Sequence, residues 1–93
     1  MRRTLLRSSA FLRDLQRWLK THAELADSLE ATLEQLSSDA AHPSLRSHKL
    51  KGRLAGSWAC SAGYDLRIVF EFVEDEGEET ILLLAMGTHD EVY

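Results

Sequence analysis

The sequence holds one cysteine, Cys60, one proline, Pro43, and five glycines in 93 residues. A lone cysteine makes no internal disulfide, which excludes a stapled secreted scaffold and agrees with a reducing, cytoplasmic compartment. No apolar run approaches the roughly 20 residues of a membrane-spanning helix, so no membrane contact is expected. The first twelve residues carry early basic charge, but Arg7, Arg13 and Asp14 interrupt any stretch of signal-peptide length. No glycine-rich loop precedes a helix and no His, Cys and carboxylate set has metal-ligand spacing, so neither a nucleotide cofactor nor a metal is expected. Basic charge is also in deficit. Eleven Lys and Arg face 15 Asp and Glu, a formal charge of −4, which at first sight argues against a nucleic-acid partner. A chain this short buries only about 60–65% of its unfolded surface, enough for one two-layer core in a single domain spanning residues 1–93. Chemistry then belongs on an open face.

The net charge hides a strong pattern. Residues 1–20 carry +5, 21–40 carry −5, 41–64 carry +4 and 65–93 carry −8. A phosphate polymer responds to the field within a Debye length, roughly 8 Å at physiological salt, and not to the total. Solvated faces of ordinary helices and strands would give the same blocks.

Periodicity divides the chain into a helical half and a strand half. Ser8 or Ser9 can cap a helix whose apolar residues Phe11, Leu12, Leu15, Trp18 and Leu19 share one face. Thr21 and Glu24 have the spacing of a capping box, restarting a second helix with Leu25, Leu29, Leu33 and Leu36 in a stripe that ends near residues 37–39. The pair should form a helical hairpin. A loop at His42, Pro43 and Ser44 separates it from the strand half. From His48 the period becomes two, with Leu50, Leu54, Trp58, Cys60 and Ala62 on one parity and Lys49, Lys51, Arg53, Ser57 and Ser61 on the other. This predicts a half-buried strand bent at Gly52 and Gly56. Tyr64, Leu66, Ile68, Phe70 and Phe72 predict a second strand, residues 74–79 a polar hairpin turn around Gly77, and residues 80–86 a more buried strand ended by Gly87-Thr88-His89. The expected fold class is α+β, a helical hairpin packed on one face of a small antiparallel sheet of three or four strands, with a short N-terminal strand as an optional addition. The other face would present Lys49, Lys51, Arg53 and Arg67 together, a basic surface suited to RNA, although one bulge at Gly52 or Gly56 would reverse the parity.

His48-Lys49-Leu50-Lys51-Gly52, then Gly56, then Asp65-Leu66-Arg67-Ile68-Val69-Phe70, then Gly87-Thr88-His89 followed by Tyr93, resemble the RelE/ParE superfamily of bacterial toxins from type II toxin–antitoxin systems. The resemblance is to its YafQ-like branch of messenger-RNA interferases and covers nearly the whole chain. It implies a RelE-like fold and an endoribonuclease that cuts messenger RNA, commonly on the ribosome, and is neutralised by a cognate antitoxin. It also implies that His48, Asp65, His89 and Tyr93 occupy active-site positions. Where some relatives have a further histidine, five residues after Gly56, this chain has Ser61.

The residues suit that chemistry. Attack of a 2′-hydroxyl on the adjacent phosphate needs a base, an acid for the leaving 5′-oxygen and a cation for the developing charge. Histidine titrates near neutrality, and a placed acid or base contributes about 10²–10⁴-fold. His48 and His89 are the candidates for proton transfer, with Asp65 assisting or orienting one of them. Lys49, Lys51, Arg53 and Arg67 are candidates for holding phosphate, Arg67 through its bidentate fork. Tyr93 can stack on a base or donate a proton. Each also has a plainer reading: the histidines as surface residues, Asp65 as a partner of Arg67, Tyr93 as cover for a sheet edge. His22 and His42 read as structural or exposed, Cys60 as a small buried hydrophobe, and Trp18 and Trp58 as core. Two other functions remain open within the superfamily, a ParE-like inhibitor of DNA gyrase and a toxin that binds its antitoxin without catalysis.

Overall fold

The computed structural model describes residues 2–63 and 65–92. Tyr64 and Tyr93 therefore lie outside the described residues. The chain opens with strand β1 (Thr4–Arg7), and Ser8 then starts helix α1 (Ser9–Thr21) by accepting the Phe11 amide on its hydroxyl. The expected capping box at Thr21 does not form. Thr21 is instead the last residue of α1, its hydroxyl donates to the Trp18 carbonyl, and a 3-10 turn at Ala23–Leu25 leads into helix α2 (Ala26–Ser38) with no side-chain cap. The hydroxyl is consumed within the first helix, so the second starts by backbone tightening alone. Leu29, Leu33 and Leu36 of the α2 stripe are buried, whereas Leu12 and Leu25, at the margins of their stripes, are 41% and 40% exposed.

After a 3-10 turn at Pro43–Leu45 the single bent strand expected from His48 onward is a small hairpin. Strand β2 (His48–Lys49) is followed by a 3-10 turn at Gly52–Leu54 and by strand β3 (Trp58–Ser61), which pairs back onto it antiparallel. Gly52 and Gly56, both at positive φ, make this reversal possible. Strand β4 (Leu66–Asp75) and strand β5 (Glu78–Thr88) form the long hairpin, closed by Glu76 and Gly77 at φ 52 and 82. Two consecutive positive φ values give the turn whose twist matches the flanking strands. After β5 the chain forms a last short helix, α3 (His89–Val92).

Among the described residues the sheet has five strands, in the order β1-β5-β4-β3-β2. The N-terminal strand is present, and it runs parallel to β5, so the sheet is mixed. Parallel pairing follows from the connection, because the long crossover through the helices and hairpins returns the chain in the direction of β1. The core lies between helices and sheet: Phe11 of α1 and Leu36 of α2 against Ile68, Phe70, Ile81 and Leu83, all fully buried. Each such side chain contributes about 1.5–3 kcal/mol on burial. Trp18 and Trp58 are only partly buried and pack at the margin of this core. Among the described residues no helix is long and apolar enough to cross a membrane.

Candidate active site

Strand register decides which side chains share a face, because directly paired residues point the same way and successive residues alternate. His48 pairs with Ala59 and Ala59 with Val69; two residues along, Ser61 pairs with Arg67 and Arg67 with Gly87. His48, Ser61 and Arg67 therefore stand on the same face, the one turned away from the core residues Cys60, Ile68 and Met86. Two strand spacings and two residues separate His48 from Arg67, about 12 Å between Cα atoms, so both side chains can reach one phosphate between them.

Lys49 does not belong to this group. It pairs with Trp58, which pairs with Phe70, and its ammonium lies 5.7 Å from the Trp58 ring centroid on the core side. The expected row of four cations on one face is thus corrected. The β2–β3 reversal inverts the parity that a continuous strand would have kept. Lys51 and Arg53 sit on the turn between those strands and line a groove of about 430 Å³ with Leu50, Leu54 and Val92. That groove brings the end of α3 against the basic turn.

The face is not bare. Ala59 and Val69 on it are 0% and 3% exposed. Helix α3 packs on β4 and β5 at one end.

His48 is exposed, and its Nδ1 lies 3.0 Å from the carbonyl oxygen of Arg46, where the chain turns through φ 51. A carbonyl only accepts, so Nδ1 carries the proton in the neutral ring and Nε2 is the acceptor nitrogen. The last rung of the β4–β5 ladder is Leu66 with Thr88. Asp65 immediately precedes that rung and His89 immediately succeeds it, so the two flank one end of the sheet, next to the Arg67–Gly87 rung. His89 is the first residue of α3, with Nδ1 3.7 Å from an Asp90 carboxylate oxygen, an ion pair when the ring is protonated. The fourth residue expected in the site, Tyr93, lies outside the described residues.

The two other histidines and the cysteine take structural parts. His22 stacks on Trp18 at 4.8 Å, and His42 caps the turn at Pro43 by accepting the Ser44 amide. Cys60 is fully buried, and burial pushes its thiol up to about 12, far from a nucleophilic thiolate. Among the described residues no group of three or more His, Cys, Asp and Glu stands together in a way that holds a metal ion.

Two features escape a reading of the sequence. The first is an apolar groove of about 650 Å³ between the two helices and the end of β4–β5, with Trp18, Leu25, Leu29 and Met86 on its walls and Asp65 and Glu91 among its polar residues. The second is a capping box at the start of α3. The Glu91 carboxylate accepts the Thr88 amide at 2.8 Å, and the Thr88 hydroxyl accepts the Glu91 amide at 3.4 Å. The signal is present, since Thr88 and Glu91 have the same spacing as Thr21 and Glu24. The segment after Thr88 is too short to show helical periodicity.

Known proteins share this fold. The family model for the bacterial toxin of type II toxin–antitoxin systems, YafQ, matches residues 3–93. No curated protein sequence matches the chain. Among solved structures, YafQ from E. coli strain BL21(DE3) is similar with a TM-score of 0.79 at 15% identity, covering 98% of each chain. A metal-bound toxin from Helicobacter pylori is similar with a TM-score of 0.76 at 28% identity, covering all of both chains. The E. coli DinJ–YafQ toxin–antitoxin complex gives a TM-score of 0.77 at 16% identity over 100% of this chain and 99% of that one. Because the family match extends over nearly every residue, including both histidine-bearing segments and the closing α3, the chain belongs to the YafQ family of toxins of type II toxin–antitoxin systems.

Proposed function

We propose that the protein is an endoribonuclease that cleaves messenger RNA by acid–base chemistry on the 2′-hydroxyl. The observation that carries this reading is the placement of His48 and Arg67 on one sheet face, with Asp65 and His89 at the end of β4–β5 next to the Arg67–Gly87 rung. His48, its Nδ1 proton directed to the Arg46 carbonyl, takes the 2′-hydroxyl proton at Nε2. The 2′-oxygen forms its bond to phosphorus, the bond from phosphorus to the 5′-oxygen breaks, and protonated His89 supplies the leaving oxygen with a proton. Asp65, across the end of the ladder from His89, orients that imidazolium. Arg67 holds the equatorial phosphate oxygens as charge develops, and Tyr93 stacks on or donates to the substrate.

Lys51 and Arg53 attract the flanking phosphates, while Lys49, on the other side of the sheet, contributes only long-range field. His48 is exposed and Arg67 half-buried, so the site is reached from the surface of a small protein, which suits RNA presented in an extended form on the ribosome. A toxin of this kind needs a cognate antitoxin, and the DinJ–YafQ complexes of E. coli support such a partner here.

Inducing the wild type and His89→Ala, with primer extension on transcripts and pulse labelling of protein and DNA synthesis, tests the reading. Cleaved messages and an early stop in translation for the wild type alone support it. An early stop in replication would point to gyrase inhibition. Full cleavage by His89→Ala would overturn the assignment, and no effect of the wild type would leave a binding-only toxin.

A further inference from the structure

His89 is held by its neighbours in sequence as much as by the sheet. Thr88 and Glu91 exchange hydrogen bonds around it, amide to carboxylate at 2.8 Å and amide to hydroxyl at 3.4 Å. This reciprocal pattern satisfies two backbone donors that a helix start otherwise leaves without partners. Gly87 completes the unit. A Cβ placed there would meet Glu91 Oε1 at 3.0 Å and Glu91 Cβ at 3.1 Å, so Glu91 lies tightly over the backbone of the Arg67–Gly87 rung. Four residues are too few to hold a helix by propagation alone, since nucleation is unfavourable and a single turn recovers little of its cost. The direction of α3, and with it the position of His89 at its first residue, therefore depends on the cap.

We infer that Gly87, Thr88 and Glu91 form a clamp that positions His89 against the Arg67–Gly87 end of the sheet, with Glu91 as the principal positioning residue. None of the three reaches the reacting atoms in the proposed cleavage. They act through His89, and the inference rests on His89 being a proton-transfer group. A loosened clamp lets α3 swing and places the imidazole away from the leaving oxygen, and displacements of about 1 Å cost up to about 10²-fold in rate. Glutamine at position 91 keeps a side-chain oxygen that accepts the Thr88 amide; alanine keeps nothing.

The test compares the wild type with Glu91→Ala, Glu91→Gln and His89→Ala on ribosomes programmed with a defined messenger, with kcat and KM measured separately. The same variants are monitored by backbone amide heteronuclear NOE at residues 89–92, and thermal unfolding serves as the control for folding. The expected result for Glu91→Ala is a fall in kcat of about 10-fold to 100-fold with KM and unfolding temperature unchanged, and lowered NOE values in α3. Glu91→Gln restores both kcat and NOE values. Full activity of Glu91→Ala alongside an inactive His89→Ala overturns the clamp and leaves the catalytic reading standing. Full activity of His89→Ala overturns both. Loss in Glu91→Ala without rescue by Glu91→Gln overturns the hydrogen-bonding role assigned to the carboxylate.

Discussion

Arg67 stands between two residues with almost no side chain, Ser61 on one neighbouring strand and Gly87 on the other. Ser61 leaves room on its side, Glu91 fills the space over Gly87, and the guanidinium donates to the Leu66 carbonyl at 3.3 Å; in the proposed cleavage the planar fork turns to grip two phosphate oxygens at once. Arg67→Lys keeps the charge and loses the fork, so kcat should fall by about 10-fold or more with little change in KM, read by single-turnover cleavage. The clamp residue Glu91 makes a pH prediction. The Thr88 amide, and then the Thr88 hydroxyl, hold its carboxyl below the usual carboxylate range, with a further small pull from Arg17. A folded-state value below the unfolded one means that the cap is complete above the ordinary carboxylate pKa and is lost only as pH falls through the lowered value. The amide NOE values of α3 should therefore persist at about pH 5 and drop only below about pH 4.3. Cys60 gives a simpler test. Fully buried, with its thiol pushed up to about 12, it should resist alkylation in the native protein at mildly alkaline pH and react once the protein is unfolded, as mass spectrometry would show.

Among the elements, α1 is tied to β5 through its cap. Its cap residue Ser8 accepts the Phe11 amide at 3.0 Å, donates its hydroxyl to the Leu84 carbonyl at 3.2 Å and sends its amide to the Leu83 carbonyl at 3.0 Å. One turn further, Asp14 accepts the Met86 amide, so α1 closes the edge of β5 where β1 has ended. Ser8→Ala should cost about 1–2 kcal/mol in urea unfolding, because it removes a cap and leaves a carbonyl less well satisfied. The two T-x-x-E spacings show what a motif by itself does not fix. Thr21 sits at the end of a helix whose Trp18 carbonyl is already waiting for a donor, so its hydroxyl turns back. Thr88 leaves a strand, its backbone is extended, and the box closes. Both spacings were legible, but their opposite outcomes depended on the conformation of the preceding residue. The β2–β3 hairpin is a similar case. Alternation from His48 to Ala62 was real, yet two glycines at positive φ reversed the chain inside it and moved Lys49 to the core side.

At the scale of the whole molecule, the −4 total charge conceals a basic turn at Lys51 and Arg53 and a face bearing Arg67. Three phosphate contacts on single-stranded RNA predict that log K falls with log salt with a slope of about −2. Measured on a 2′-O-methyl RNA that cannot be cleaved, Arg53→Ala should flatten the slope by about 0.7, while Lys49→Ala should leave it nearly unchanged. Equal effects of the two substitutions would place Lys49 on the RNA face after all.

The amino-acid sequence by itself determined the helices, the long β4–β5 hairpin and the residue types that acid–base cleavage requires, because these depend on local periodicity, capping and turn chemistry. The Gly-Thr-His segment and the His48 segment were recognisable for the same reason, being short and contiguous. Tertiary structure alone decided which face each cation occupies, since register is a relation between strands and one reversal changes it for every residue beyond. It likewise decided that β1 joins the sheet in parallel beside β5, a pairing across more than seventy residues that no local pattern encodes. Helix α3 lay between these cases, its capping residues visible and its existence dependent on the sheet end against which Glu91 packs.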